Sequence, residues 1–293
     1  MTLRHSARAR LRTVAAGTVL GLAAASASIV GTAPSASAAT LSFDCTLPLL
    51  GVQTFSVDIS HSAPSQLPTG STTTPDVTAV LNIPAGIADA MRTFLSVEEV
   101  AGTIQSAVSV DGVTQAVPLT IPRTDGGDAG EPAVLTATGA LAPITGGDPG
   151  DVIEVVAGNQ DVAMTLYNAA GEGTPFAVPC TPTAGQDLAM GTISVVKAGS
   201  STKVAASYSA KRDKVTGTAT VKASNGIATT GQVKFILKKG TKTLKTVTRA
   251  LRNGKATASF LRVKKAGAYT LVAQYAGSDR VKASSGKDGF RVR

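Results

Sequence analysis

Two short motifs have the spacing of a serine nucleophile and a lysine base. SSTK at 200–203 and SSGK at 284–287 both read S-x-x-K, and one helical turn with that spacing places the lysine beside the serine. Both motifs lie in segments predicted to be strand edges or loops, and the chain contains neither S-D-N nor K-T-G. Catalysis through these serines is therefore not predicted.

The other nucleophile patterns are equally incomplete. His61 is the only histidine after position 5, and no G-x-S-x-G sequence accompanies it, so a serine triad is not indicated. We expect His61 on the surface at the end of a strand. LPTG at 67–70 resembles a cell-wall sorting signal but lacks one residue of that pentapeptide, lies internally and has no hydrophobic tail after it. It predicts a turn, and covalent wall anchoring is not indicated.

Carboxylates cluster in two glycine-rich loops. Asp125, Asp128 and Glu131 lie in the first, and Asp148 and Asp151 in the second. Oxygen ligands of this kind suit Ca²⁺, and paired carboxylates suit glycoside hydrolysis. The spacing matches no calcium loop, however, and the chain has no Trp to stack on a sugar. Solvated turns are favoured and neither a cofactor nor a metal is predicted, although calcium binding by these loops stays open.

The N-terminal 39 residues have the layout of a secretory signal peptide. Four arginines between positions 4 and 12 precede an apolar, alanine-rich stretch at 14–30, and Ala-Ser-Ala at 36–38 is a small-x-small cleavage site. The alternative is an N-terminal membrane anchor, for which this stretch is short and diluted with Gly, Ser and Thr. We expect export, and no membrane contact after cleavage.

The two cysteines fit an exported protein. Cys45 and Cys180 are the only pair, and an even pair in an oxidising compartment predicts a disulfide. Two free buried thiols are the alternative. A structural zinc site is disfavoured because two cysteines and one histidine do not complete a tetrahedral set without carboxylates.

Charge divides the chain into two unlike parts. Residues 40–183 hold 15 acidic and two basic side chains, a net charge of −13, whereas residues 200–293 hold 21 basic and three acidic ones, a net charge of +18. A basic domain of this kind attracts polyanions. The candidate polyanion-binding residues are Lys234, Lys238, Lys239, Lys242 and Lys245. A merely solubilising surface is the alternative, and specific nucleic-acid recognition is not predicted because stacking aromatics and RNP-like motifs are lacking.

Period-two alternation of apolar and polar residues predicts an all-β protein with two β-sandwich domains. The predicted divisions are a signal peptide at 1–39, an acidic domain at 40–183, a linker at 184–199 and a basic, immunoglobulin-like sandwich at 200–293. One short helix is predicted in the acidic domain, after Pro84, with Ile87, Met91, Phe94 and Leu95 on one face. Seven strands are predicted in the basic domain, near 203–209, 217–223, 232–238, 243–249, 255–261, 268–275 and 290–293. The inward positions predicted there are Val233, Phe235, Leu237, Ala256, Ala258, Phe260, Tyr269, Leu271, Ala273 and Tyr275.

Both parts resemble known bacterial domains. GQVKF at 231–235, GKATASF at 254–260 and GAYTLVAQYAGS at 267–278 are similar to a bacterial Ig-like domain repeat of secreted and surface proteins. Tyr269 sits where that fold has its tyrosine corner. FDCTLPLLGVQ at 43–53 and VPCT at 178–181 resemble an actinobacterial exported domain of unknown function. The resemblance implies secretion and a β fold, and no activity.

These observations favour a non-enzymatic secreted or surface-associated protein. Its Ig-like domain is expected to contact an anionic cell-wall polymer or another extracellular protein. Self-association through the oppositely charged domains, and an uncharacterised secreted enzyme, are the alternatives. The sequence does not identify the ligand, the oligomeric state or the role of the acidic domain.

Overall fold

The computed structural model describes residues 37–48 and 50–293, so nearly all of the predicted signal peptide lies outside the described residues. The first domain contains one helix, α1, at Ala85–Leu95. Its strands are β1 Ser37–Leu47, β2 Gly51–His61, β3 Gln66–Pro68, β4 Thr72–Thr73, β5 Asp76–Ile83, β6 Glu99–Val110, β7 Val113–Asp125, β8 Ala133–Ala140, β9 Ile144–Thr145, β10 Val152–Tyr167, β11 Gly173–Pro182 and β12 Ala189–Val196. Strand β1 begins at Ser37, inside the range predicted to be signal peptide.

Eight strands of the first domain form a closed antiparallel ring in the order β1, β2, β5, β8, β7, β6, β10, β11. The pairings β1–β11 and β7–β8 cover only three and two residue pairs, so the ring is two four-stranded sheets facing each other and joined at both edges. Alternating apolar side chains from both sheets fill the space between them. The predicted sandwich is confirmed, with both of its edges hydrogen-bonded rather than open.

The disulfide lies on one of these two edges. Cys45 of β1 and Cys180 of β11 are direct cross-strand partners with their Cα atoms 4.0 Å apart, and they form the predicted bond. Both half-cystines are buried. The covalent bond therefore reinforces an edge that has few backbone hydrogen bonds of its own.

The segment predicted to be a linker is part of the first domain. Strand β12 pairs with β10, and β3 pairs with β12 in parallel. Met190, Ile193 and Val195 of β12 are buried in the first core. The predicted linker at 184–199 is therefore wrong for 189–196, because the apolar alternation there joins the preceding sheet rather than starting the next one.

Helix α1 is confirmed, but only half of its predicted face is buried. Ile87 and Met91 pack against the core, whereas Phe94 is 80% exposed and Leu95 is 40% exposed. The carbonyl of Pro84 accepts the amides that open the helix, as expected for proline at a helix start. Within the described residues, no helix is long and apolar enough to cross a membrane.

The second domain has the predicted seven strands. They are β13 Ser200–Ser209, β14 Lys214–Ala223, β15 Gln232–Lys239, β16 Lys242–Ala250, β17 Lys255–Phe260, β18 Gly267–Tyr275 and β19 Ser284–Val292. Strands β13, β14 and β17 form one sheet, and β16, β15, β18 and β19 form the other. Two antiparallel sheets of three and four strands make an Ig-like sandwich.

All ten predicted inward positions of this domain are buried. The two sheets approach closely at Gly217, where a Cβ atom would lie 2.0 Å from Leu271 Cδ2, so a side chain at 217 would push the sheets apart. The hydroxyl of Tyr269 donates to the Lys265 carbonyl at 2.6 Å. The predicted tyrosine corner is thereby confirmed, and it ties the start of β18 to the loop before it.

The two domains meet at Thr69, which is fully buried. Its hydroxyl donates to the Gly147 carbonyl at 2.5 Å and accepts from Arg280 at 3.1 Å, and its carbonyl accepts from the Asn225 side chain at 2.8 Å. Arg280 also lies 3.5 Å from Asp148, but both side chains are largely exposed, so this ion pair contributes little. Hydrogen bonds to uncharged groups, rather than the opposite net charges, dominate this joint.

His61 corrects the expectation of a surface histidine. It ends β2 and is 4% exposed, and its Nδ1 accepts a hydrogen bond from the Ala63 amide at 3.3 Å. Burial lowers the pKa of His61, and a hydrogen bond with the Met190 backbone opposes part of that shift. Burial therefore favours the neutral form of the imidazole over the charged form.

We expect replacement of both half-cystines by alanine to lower the free energy of unfolding of the first domain. The loop they close spans 135 residues, for which chain entropy alone gives about 5 kcal/mol. Hydrogen exchange should rise most in β1 and β11. Reduced parent protein is the matched control and should unfold at the same urea concentration as the variant. Equal stability of the variant and the oxidised parent would show that the edge needs no covalent bond.

We expect Tyr269→Phe to destabilise the second domain by about 1–3 kcal/mol, because the Lys265 carbonyl loses its donor while the ring packing is kept. Hydrogen exchange of residues 200–293 in urea measures this domain separately from the first. Tyr208→Phe is the matched control, since its hydroxyl lies 3.4 Å from an Asp213 carboxylate oxygen in a half-buried position. An equal effect of the two substitutions would contradict a special role for the Tyr269 hydroxyl.

Stability should fall on acidification through the range in which His61 titrates. Because the folded-state pKa is lowered from 6.5, the neutral form contributes fully above that value, and its contribution is lost as the pH falls below it. Melting temperatures at pH 7.5, 6.5 and 5.5 measure the loss, in a range where carboxylates stay ionised. His61→Gln should show a flatter dependence whatever its absolute stability. An unchanged slope in that variant would assign the dependence to another group.

Candidate polyanion-binding surfaces

The outer face of the four-stranded sheet is basic and rich in threonine. Strand register places Lys234 and Lys238 of β15 on this face with Lys287 and Arg291 of β19. Half-buried Ile236 and Val272 lie between them. Along a strand Lys234 and Lys238 are four residues apart, about 13 Å, so the four cations are widely spaced.

The five lysines predicted to bind a polyanion do not share this face. Lys234 and Lys238 lie on it, but Lys245 is the cross-strand partner of Leu237 and so belongs to the inward side. Its amine donates to the Leu261 carbonyl. Lys239 donates to the Ala266 carbonyl at 2.7 Å and lies over the Tyr269 ring. Lys242 is exposed beside the turn that joins β15 and β16.

Two of the four cations on this face were missed by sequence reasoning. Lys287 and Arg291 belong to β19, which begins at Ser284, whereas the predicted strand began near position 290. The exposed residues of β19 recur with period two from Ser285. This alternation indicates that the strand begins before position 290. A bulge between Leu237 and Lys238 also shifts the register of β16, and no residue spacing announces that shift.

The outer face of the three-stranded sheet has a similar character. Its exposed positions are serine, threonine, alanine and lysine, with Lys203, Lys214, Lys222 and Lys255 as the charged members. Thr218 and Thr257 lie side by side at its centre with hydroxyl oxygens 3.4 Å apart. This face is flat, polar and cationic.

The three carboxylates of the second domain all lie away from both outer faces. Asp213 follows β13 and lies 3.7 Å from the Lys264 amine. Asp288 accepts the Ala206 amide at 2.7 Å where β19 meets β13. Asp279 is exposed in the loop between β18 and β19. Neither sheet face therefore carries a carboxylate to neutralise its lysines.

The first domain has an acidic surface, and both of its basic residues are engaged in local contacts. Arg92 donates to the Gly126 and Gly127 carbonyls at 2.7 and 3.0 Å and pairs with Asp89. Arg123 pairs with Glu99 and lies over the ring of Tyr167. The remaining carboxylates of this domain are left to repel a polyanion.

The two acidic loops are built by hydrogen bonds from their own backbone. Asp125 accepts the Gly127 amide at 2.7 Å, and Asp151 accepts the Asp148 amide at 2.7 Å. Asp89 accepts from Gly130, and this bond together with Arg92 lowers the pKa of its carboxyl group. Across residues 37–48 and 50–293, no group of three His, Cys, Asp or Glu side chains is placed to hold a metal.

The remaining candidate nucleophiles are dispersed. Ser200 and Ser284 are hydrogen-bonded to each other at 2.7 Å, where β13 meets β19. Their S-x-x-K lysines, Lys203 and Lys287, lie on strands, so no helical turn places them beside the serines. His61 is buried in the other domain. Neither S-x-x-K motif therefore has the helical arrangement that serine–lysine catalysis uses.

An apolar groove of about 290 Å³ lies beside the disulfide-bonded edge of the first domain. The side chains that line it include Leu47, Leu50, Phe94, Leu95 and Phe176. It is where the unburied half of the α1 face lies, and it offers neither a charged nor a titratable group.

Similarity to solved structures is weak. The chicken CNTN1 FN1-FN3 domains share 9% identity with this chain, with 88% of this chain and 94% of that one covered and a TM-score of 0.25. A beta-glycosidase from Bacteroides vulgatus (10% identity, TM-score 0.24) and Lactobacillus rhamnosus beta-glucuronidase (13%, 0.22) cover 88% of this chain but only 34% and 45% of their own lengths. The chain thus spans less than half of either enzyme, and TM-scores this low support no conclusion about fold or activity.

Two family models match the chain. No curated protein matches it in sequence. The bacterial Ig-like domain (group 3) model matches residues 201–290, which agrees with the second sandwich. The model of a family of unknown function, DUF6801, matches residues 42–191, the ring of strands with its disulfide. Because the latter match spans half of the sequence, the chain belongs to the DUF6801 family, and it carries a bacterial Ig-like domain after that family's domain.

Proposed function

We propose that this protein is a non-enzymatic exported protein whose Ig-like domain holds it on an anionic polymer outside the cell. The observation that carries the proposal is the absence of carboxylates from both outer sheet faces of the described second domain, on which eight lysine and arginine side chains lie. The disulfide supports an oxidising compartment. The Ig-like match supports a contact domain rather than a catalytic one.

The acidic first domain would fix the orientation of the protein on such a polymer. A polyanion is attracted to the second domain and repelled by the first, and the joint at Thr69 connects the two directly. The polymer would therefore lie along the Ig-like domain while the DUF6801 domain faces away from it. Pairing of opposite charges between two copies would compete with polymer binding at low salt.

We expect the chain to bind immobilised inorganic polyphosphate in 0.05 M salt and to dissociate in 0.5 M salt, since screening shortens the Debye length from about 14 to about 4 Å. Joint replacement of Lys234, Lys238, Lys287 and Arg291 by glutamine should weaken binding roughly thirtyfold, at a fraction of a kcal/mol for each exposed cation. Surface plasmon resonance measures both effects, and sedimentation at the two salt concentrations measures self-association.

The control variant replaces Lys211, Arg212, Lys265 and Arg293 by glutamine. These four exposed cations lie outside the sheet faces, so the net charge falls equally while both faces are kept. The control should lose less than about threefold in affinity, because exposed charges outside the contact contribute little. Equal loss in the two variants would show that net charge alone governs binding. Absence of binding by the parent at low salt would overturn the proposed function.

A further inference from the structure

Three lysines on the three-stranded sheet are closer together than the cations of the other face. Lys203 and Lys255 are the two cross-strand partners of Thr220, one on each side, which sets them about 10 Å apart. Lys222 follows two residues after Thr220 on the same strand. It is therefore a diagonal neighbour of both at about 8 Å. We call these three residues the lysine triangle.

The triangle is unneutralised. Among the described residues, none of its three amines has an ion pair or a side-chain hydrogen bond, and all three side chains are exposed. Like charges on neighbouring strands are unfavourable, and the central strand offers only the Thr220 hydroxyl between them. A multivalent anion seated over Thr220 would relieve the repulsion and accept hydrogen bonds from each amine.

A cavity of about 430 Å³ adjoins the triangle at the end of the sandwich. Lys222 lines it and so belongs to both features, and Gly254 at its rim directly precedes Lys255. Asn253 and Thr230 offer amide and hydroxyl groups, and Ile227 and Leu251 offer apolar surface. This volume and this mixture of polar and apolar groups are typical of small-molecule sites.

The wall of the cavity is fixed by the joint between the domains. The loop after β14 lines the cavity from Gly226 to Thr230, and its Asn225 side chain donates to Thr69 and Ser71 of the first domain. A Cβ atom at Gly70 would lie 2.7 Å from Ile227, so the two domains are in contact at this loop. The loop that lines the cavity is thus held in place by contacts with the first domain.

We infer that the lysine triangle binds one phosphate group of a glycosyl phosphate and that the attached sugar lies in the adjoining cavity. This inference rests on the proposed function and names one specific binding site for the anionic polymer. A phosphate carries the multiple charge and the acceptor oxygens that three neighbouring, unpaired lysine amines can bind. A sugar carries the hydroxyl groups and apolar C–H faces that the cavity lining matches, which an unsubstituted phosphate chain lacks.

The test uses the full chain, with glucose 1-phosphate, glucose and inorganic phosphate as separate probes. Chemical-shift changes of the backbone amides should appear for glucose 1-phosphate at 220–230 and 251–255, and should be weaker for either half of that ligand. Joint replacement of Lys203, Lys222 and Lys255 by glutamine should weaken binding about tenfold or more, as expected for loss of charged hydrogen bonds. The spectrum elsewhere should stay unchanged, which shows that the exposed substitutions leave the fold intact.

The matched control replaces Lys211, Arg212 and Lys265 by glutamine; these exposed cations lie outside both sheet faces, and the variant should bind within about twofold of the parent. Unchanged affinity in the triangle variant would overturn the inference. Equal shifts with inorganic phosphate would exclude the sugar site. If the parent binds polyphosphate but shows no shifts with glucose 1-phosphate, the proposed glycosyl phosphate site is wrong and the proposed function stands. If it binds neither probe, both are wrong.

Discussion

Closure of the strand ring is the constraint on which the rest of the molecule depends. The edge between β1 and β11 has three residue pairs, and one of them is the disulfide. Strand β11 also pairs with the C-terminal half of β10, whose N-terminal half pairs with β12. Since β12 carries β3, and β3 leads directly to Thr69, the covalently closed ring positions the joint to the Ig-like domain. The joint in turn positions the loop that walls the cavity.

The chain separates its charges by domain, and local pairing sharpens the separation. Arg92 and Arg123 could reduce the negative charge of the first domain's surface, but each is bound to a loop or strand of its own domain. In the basic domain Asp288 bonds to a backbone amide between strands. Asp213 sits where a left-handed turn needs a short polar residue. Four of the five counter-charges thus have structural roles, and only Asp279 is exposed in a loop without one, so one sign of charge dominates the surface of each domain.

Local patterns in the sequence predicted much of this structure. Phe235 and Tyr269 were identified as inward because period-two alternation survives in every well-packed strand. The disulfide followed from the cysteine count, and the helix from Pro84 and the apolar spacing after it. The predictions of inward residues and of the helix depended only on a few neighbouring residues. The disulfide prediction depended on the cysteine count and on the expectation that the chain is exported.

Non-local relations were not predictable in the same way. Strand β12 was mistaken for a linker because its partners, β10 and β3, are distant in sequence. The side of the sheet on which Lys245 lies follows from its register with Leu237 of β15, which the spacing of the lysines does not give. Phe94 fits the apolar stripe of α1, yet the helix extends past the core there and leaves the ring exposed. Burial of His61 likewise depends on packing of the first domain that its two serine neighbours do not indicate.

The lysine triangle is the extreme case of such a relation. Its three residues come from three strands, β13, β14 and β17, and nothing in the local sequence distinguishes Lys203, Lys222 or Lys255 from the other lysines of the domain. By contrast, the four lysines at 238–245 lie close together in the chain but diverge in space. Strand pairing brings together residues that are distant in the sequence, and it can place residues that are close in the sequence on opposite faces of a sheet. In a β domain, charge density along the chain is therefore a poor guide to charge density on the surface, and cross-strand register is the better one.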